Sequence, residues 1–342
     1  MTVTDLVRYG IVGVAGIGDT HANAVERASG VELVACADLD EDAGTTFAAE
    51  RDCQWYPDAV EMIREGDVDA VSVCTPSGTH ANVAIDCMEA GAHVLCEKPL
   101  DVYRERMDAM VEAADETGRT LAGVFQRRTY PAHRRAREAV VNGELGRLVL
   151  GTATVKWYRS QEYYDSADWR GTRAMDGGCL LNQSIHAIDL LQWIAGGVAG
   201  VYAKTDTVDR EMECENVAVV VLEFENGAVG TIEATTATQG GVDSLEINGT
   251  RGSYNDGEFA MGEGEAEDEI GIGEEDENGI LEWGEGHARI VQDFVDAIRE
   301  GREPMVPARE ARAAVDLILA IETSADRGEW IDLEAFRHGE YD

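Results

Sequence analysis

The 342-residue chain has only three lysines, Lys98, Lys156 and Lys204. The first stands in the stretch HVLCEKPLD, residues 93–101, where an apolar run that reads as a strand gives way to an acid, a lysine and a proline. An ammonium at a strand end can hydrogen-bond a reacting hydroxyl and stabilise negative charge developing on its oxygen. If its pKa falls in a cleft, it can also exchange the proton. The plainer reading is a surface lysine paired to Glu97, but Arg has replaced nearly every other Lys in the chain. A second constellation lies in GGCLLNQSIHAIDLLQW, residues 177–193. There Asn182, His186 and Asp189 are spaced by four and three, which predicts one face of a helix. His186 can relay a proton or orient a hydroxyl. Asp189 can fix the imidazole or cap a neighbouring backbone group.

These groups need elements to hold them. RYGIVGVAGIG, residues 8–18, reads as a short strand and a glycine-rich turn; a helix follows, then the strand VELVACADLD ending in Asp38. Strand, turn, helix, strand, acid is the order a dinucleotide site requires. Gly13, Gly16 and Gly18, with Ile17 among them, let the backbone bend and approach a pyrophosphate, and the N-terminus of the helix that follows in HANAVERASG supplies N–H groups and a positive dipole end. Asp38 is placed to accept from ribose hydroxyls. Ala15 stands where G-x-G-x-x-G has its middle glycine.

Strand and helix signals continue to alternate through CTPSGTH (74–80), HVLCEKP and TLAGVFQRR, which predicts a parallel sheet covered on both faces. Ligands gather at the carboxyl ends of such strands, where the sequence puts Gly13–Gly18, Asp38 with Leu39, Thr75–Pro76 with His80, Glu97–Lys98 and Gln126.

The glycine turn, CTPSGTH, CEKPL at 96–100 and GGCLLNQSIHAIDLLQW together resemble the glucose–fructose oxidoreductase / inositol dehydrogenase (Gfo/Idh/MocA) family, and the segment from His287 onward resembles its C-terminal region. The resemblance implies an α/β Rossmann domain, taken as residues 1–125. An α+β domain with a large, mostly antiparallel open sheet follows, taken as 126–342, with a C-terminal helix returning to the first. It also implies a nicotinamide cofactor, a polyhydroxy substrate (a sugar, sugar derivative or cyclitol) and Lys98 as the catalytic lysine. Pro99 is expected to be cis. By the same resemblance WRG at 169–171 supplies a tryptophan–arginine pair, Trp169 and Arg170, that reaches the cofactor. Tyr158, Asn182 and His186 fall among the substrate contacts. Many members have Asp where this chain has Asn182 and Gly where it has Ser184. An amide is no base, so proton transfer falls to Lys98 and His186. The Asn-Gln form resembles the branch acting on sugar acids attached to nucleotides, and it also occurs elsewhere in the family.

Asp38, followed by Leu39, Asp40, Glu41 and Asp42, favours NAD over NADP, because a carboxylate repels a 2′-phosphate. Residues 199–255 carry several strand signals and predict an antiparallel sheet; the family resemblance implies that its free face pairs subunits as a homodimer or homotetramer. The acidic, glycine-rich run 262–279 lacks the ligand order of a calcium loop and reads as a solvated loop. No His/Cys spacing suggests a metal.

Formal net charge is −39, with 67 acids against 28 bases. Such a field repels nucleic acid and repels itself, a repulsion that molar salt removes. The reading is a halophilic archaeal cytoplasm. Seven cysteines without a CxxC pair agree with a reducing compartment. No apolar run is long enough for a bilayer, and the N-terminus lacks a signal-peptide pattern. The alternatives are a non-catalytic dinucleotide-binding regulator, to which Lys98 with His186 would be useless, and a reductase of a tetrapyrrole or aromatic diol derivative on a related scaffold.

Overall fold

The structure is a computed structural model that describes residues 6–262 and 284–341. The expected loop at 262–279 lies, apart from its first residue, outside the described residues. The chain divides into two compact units, Met1–Gln126 with Glu282–Arg312, and Arg127–Leu281 with Ala313–Asp342. The first unit therefore takes in a C-terminal segment as well as the N-terminal one.

In the first unit, strands β1 (Val7–Val12), β2 (Val31–Ala37), β3 (Gln54–Tyr56), β4 (Ala70–Val73), β5 (His93–Cys96) and β6 (Leu121–Gly123) alternate with helices α1 (Ile17–Arg27), α2 (Glu41–Arg51), α3 (Ala59–Gly66), α4 (His80–Ala90) and α5 (Arg104–Thr117). The order is β3-β2-β1-β4-β5-β6, and every pairing is parallel. All of β4, and all of β5 after His93, is buried, as expected of strands covered on both faces. The order reverses between β1 and β4, where an open α/β sheet makes its ligand crevice.

The helices start and stop on local chemistry. Asp40 and Asp58 cap α2 and α3 by accepting from the Ala43 and Glu61 N–H groups. Gly91 ends α4 in the left-handed region. Gly18 is required by packing: a Cβ there would lie 2.2 Å from the Gly13 carbonyl oxygen. The sequence run TLAGVFQRR is strand only for three residues, because Gln126–Thr129 turns into a 3-10 helix. Within the first unit the helix Glu285–Glu300 packs on α1 and sets Phe294 edge-on against Tyr9, centroids 6.5 Å apart.

The second unit holds helices α6 (Pro131–Val141), α7 (Gln161–Tyr164) and α8 (Ile185–Ala195) with an eight-stranded sheet. Its strands are β7 (Leu148–Tyr158), β8 (Val198–Asp206), β9 (Val217–Phe224), β10 (Val229–Thr235), β11 (Ala237–Gly249), β12 (Gly252–Asn255), β13 (Glu258–Met261) and β14 (Ile331–Asp332). The order is β13-β12-β11-β7-β10-β9-β8-β14, antiparallel except for β7 with β10. In β9 the burial alternates residue by residue, the mark of a sheet with one covered face. Its other face shows Tyr202, Val219, Val221 and Val229 to solvent.

Candidate active site

At the carboxyl edge of the parallel sheet the first unit gathers most of its sequence-expected residues. A cleft of about 520 Å3 is lined by Gly13, Ala15, Asp38, Leu39, Thr75 and Pro76, among others. Gly13 and Gly16 have positive φ, 87° and 59°, which glycine adopts without strain. Ala15 is exposed beside them. Ile17 opens α1 and Gly18 packs against Gly13. These features make a cradle for a diphosphate at a helix N-terminus. Asp38 accepts the Val14 N–H on one oxygen and the Asp40 N–H on the other, each at 2.9 Å. Each oxygen keeps a further lone-pair direction for a ribose hydroxyl. Leu39, 95% exposed, lines the same cleft as a bare apolar side chain, suited to an aromatic base. The residues present fit a nicotinamide dinucleotide.

Lys98 follows β5, partly buried, and the Lys98–Pro99 bond is cis. Its peptide is fixed from the side of Glu97. The Glu97 Oε2 accepts the Lys98 backbone N–H at 2.9 Å, and Oε1 accepts from His21 Nε2, also at 2.9 Å. Burial alone would raise the Glu97 pKa. The hydrogen bond from His21 and the charges of His21, His287 and Lys98 outweigh it and hold the carboxyl at about 2. His21 Nδ1 in turn lies 2.8 Å from Ser72 Oγ, which lies 2.8 Å from the Tyr9 hydroxyl.

The ligating atoms of His21, Glu97 and His287 all lie within 4.8 Å of one another. The 2.9 Å between His21 and Glu97 is shorter than the roughly 3.3 Å separating two ligands of one tetrahedral zinc. A hydrogen-bonded network accounts for it directly.

Two expected cofactor contacts are inside the protein. Glu97 is 5% exposed and works through the Lys98 peptide. His80 is 1% exposed, its ring nitrogens each 2.7 Å from a carbonyl oxygen, those of Pro99 and Thr75. His80 therefore ties the turn after Lys98 to the turn after β4. Gln126 is also buried. Asp101, read without a role from the sequence, is fully buried and accepts from the Val102, Tyr103 and Ala81 N–H groups, so it orders the chain just past the cis bond.

In the second unit the expected continuous helix is broken. Residues Cys179–Ser184 form a π-helix and α8 begins only at Ile185. The extra residue per turn shifts Asn182 out of the α-helical phase that its spacing to His186 implied. The Asn182 amide donates to Asp176, and Gln183 Nε2 donates to Asn182 Oδ1. Glu215 Oε1 caps the π-helix by accepting the Leu180 N–H at 2.8 Å.

His186 is partly exposed, whereas Asp189 is 1% exposed with both oxygens held by Arg128, at 2.8 and 2.6 Å. Asp189 was expected in the catalytic set. In the structure it forms a buried ion pair with Arg128, of a kind costly to break. Tyr158 ends β7, 40% exposed, under the Arg210 guanidinium at 5.0 Å. Arg170 stacks on Trp169 at 4.6 Å and on Tyr163 at 4.4 Å.

The cradle, Asp38 and a lysine held at the sheet edge define a dinucleotide-binding oxidoreductase. Two family models match the chain. An oxidoreductase family with an NAD-binding Rossmann fold covers residues 7–125, and a GFO/IDH/MocA C-terminal domain covers 133–255. The chain belongs to the GFO/IDH/MocA oxidoreductase family.

It is similar to an inositol 2-dehydrogenase of Rubrobacter xylanophilus, 30% identical over 73% of this chain and 71% of the relative. It is 28% identical to D-xylose 1-dehydrogenase (NADP+) 2 of Haloferax volcanii, over 95% and 99%. Among solved structures it is similar to the WlbA dehydrogenase of Bordetella pertussis in complex with NADH and UDP-GlcNAcA. That match has 33% identity, coverage of 97% and 99%, and a TM-score of 0.91.

Proposed function

We propose that the chain is an NAD-dependent dehydrogenase of a ring hydroxyl on a sugar derivative, with a nucleotide-linked sugar acid as the favoured substrate class. The observation that carries the catalytic reading is the placement of Lys98. One of three lysines in the chain, it sits at the carboxyl end of β5 with its peptide fixed by Glu97, on the sheet edge that also bears the glycine turn and Asp38. Bound nicotinamide supplies the hydride acceptor. Lys98, as the neutral amine, accepts the hydrogen bond of the reacting hydroxyl and takes up its proton, and the ammonium so formed stabilises the negative charge on that oxygen as the hydride leaves the carbon. His186 is the second proton-handling group, with Tyr158 and Asn182 as substrate contacts and Trp169 and Arg170 as cofactor contacts. The substrate class is supported by the WlbA relative and by the Asn182–Gln183 pair.

NAD is the preferred cofactor, because the residues lining the cleft include Asp38, Asp58 and Asp86 and no basic side chain. The exposed valine face of the second sheet supports a homodimer or homotetramer. The net charge of −39 and the unbridged cysteines support a salt-rich, reducing cytoplasm. The test is NADH formation at molar KCl with nucleotide-linked sugar acids, free sugar acids, neutral sugars and inositols. Silence across the whole panel would favour the alternative of a dinucleotide-binding regulator.

A further inference from the structure

Arginines in this chain commonly meet carboxylates: Arg51, Arg127, Arg128, Arg135, Arg302, Arg309 and Arg312 all do. One group in the second unit does not. Arg159 lies over Trp157 at 5.7 Å and over Tyr163 at 5.0 Å; Arg170 lies over the same Tyr163; Arg210 lies over Tyr158. Their hydrogen bonds go to neutral acceptors. Arg159 donates to Gln183 Oε1 at 3.1 Å, Arg170 to the Tyr163 hydroxyl at 2.6 Å, and Arg210 to the Arg159 carbonyl at 2.8 Å. Among the described residues, none of the three forms an ion pair.

The exposed Glu162 feels the charge of Arg210, but in a chain with 67 acids against 28 bases Arg159 and Arg170 are left with neutral hydrogen-bond partners, which makes this a locally positive site. The aromatic faces stiffen the guanidinium planes and leave donors pointing elsewhere. Gln183 joins this group to Asn182, because its Nε2 donates both to Asn182 Oδ1 and to the Tyr163 hydroxyl.

We infer that Arg159 and Arg210, with Arg170 beside them, form a subsite for an anionic group carried by the substrate, a carboxylate or phosphate. The inference rests on the dehydrogenase reading and narrows its substrate class. Guanidinium forks match the paired oxygens of either group. A neutral sugar or inositol would offer the Arg159 and Arg210 guanidinium groups no charge, so the site selects against it.

The test is titration of the NADH-loaded enzyme, at the lowest salt that keeps it folded, with UDP-GlcNAcA, UDP, glucuronate and glucose. Wild type is expected to bind at least one anionic probe about tenfold or more tighter than glucose. UDP and glucuronate tell phosphate from carboxylate recognition. Arg159→Gln and Arg210→Gln should each weaken that probe by about tenfold, raising KM far more than they lower kcat, with NADH affinity retained. Arg159→Lys should fall between, since it keeps the charge and loses the fork. The two positions give independent variants should one fail to fold. Equal binding of glucose and all anions by wild type, or unchanged anion binding in both folded Gln variants, overturns the inference. Turnover of neutral sugars without anion preference would sink it and leave the dehydrogenase reading standing. Arg-dependent anion binding without turnover of any sugar would do the reverse.

Discussion

Glu97 and His21 are joined across 76 residues of sequence by a 2.9 Å hydrogen bond within a buried network. His21 belongs to α1, the helix that follows the glycine turn, and Glu97 immediately precedes Lys98. With Glu97 ionised, His21 Nε2 donates to it, and His21 Nδ1 and Ser72 Oγ continue the chain of hydrogen bonds to the Tyr9 hydroxyl. The element that cradles a diphosphate and the strand end that presents the lysine are thereby one rigid piece.

Glu97→Ala removes the acceptor for both His21 and the Lys98 N–H. Two buried donors lose their partner, at about 1–3 kcal/mol each, and the lysine loses its fixed peptide. The expected outcome is a Tm clearly below wild type and a reduced kcat. Glu97→Gln, which still offers an acceptor to the Lys98 N–H, should lie between. Equal Tm and kcat for Glu97→Ala and wild type would remove the network from the account.

Stability should decline on the alkaline side because of two carboxyls in the second unit. Burial, with the neighbouring Glu322, raises Glu215 to about 8. Burial, with help from Asp326 and against Arg173, raises Glu322 to about 7. A raised folded pKa gives stability that is fully present below the unfolded value near 4.5 and lost as pH climbs through 7 and 8. Between 4 and 6.5 the buried His133 and His287, both lowered to about 4 chiefly by burial, act in the opposite sense and lose stability as pH falls. Above pH 6.5 the glutamates dominate, each contributing a slope of at most about 1.4 kcal/mol per pH unit. Denaturant melts between pH 6.5 and 8 should show the decline, and Glu322→Gln should flatten it. A decline as steep in Glu322→Gln as in wild type would contradict the assignment.

Cofactor choice rests on Asp38. Wild type should show a higher kcat/KM with NAD than with NADP at high salt, and Asp38→Ser should narrow the ratio by about tenfold or more. A wild-type preference for NADP would refute the reading, and no gain for NADP in the mutant would show that another group selects.

The acid excess should make folding salt-dependent. The Debye length grows from ~3 Å at 1 M to ~10 Å at 0.1 M, so Tm in a KCl series should fall as salt is withdrawn below roughly 0.5 M. A flat Tm across the series would contradict salt adaptation.

The alternating strands, the glycine turn and Asp38 were legible in the sequence because each rests on local chemistry: a positive φ, a close backbone approach, a carboxylate at a strand end. The network behind Lys98 was not. His21 looks like any polar residue in an amphipathic helix, and only the packing of α1 against β4 makes it a partner of Ser72 and, just past β5, of Glu97. The partner of Asp189 was hidden for the same reason: its spacing sets it beside His186, and only the fold brings Arg128, on another element, to both its oxygens. The π-helix was likewise hidden. The double glycine at 177–178 marked the helix start, while the extra residue per turn follows from contacts such as Glu215 to Leu180, far apart in sequence. Arg159 follows Tyr158 in the sequence, whereas Arg210 stands between Asp209 and Glu211, so only the fold brings the two together.

The most direct test of the central claim is the rate of NADH formation by wild type and Lys98→Ala, on whichever substrate of the panel wild type oxidises fastest, with NADH affinity measured in parallel. The expected result is loss of turnover by about a hundredfold or more in a folded variant that binds NADH as wild type does. Turnover within threefold of wild type would end the assignment of Lys98.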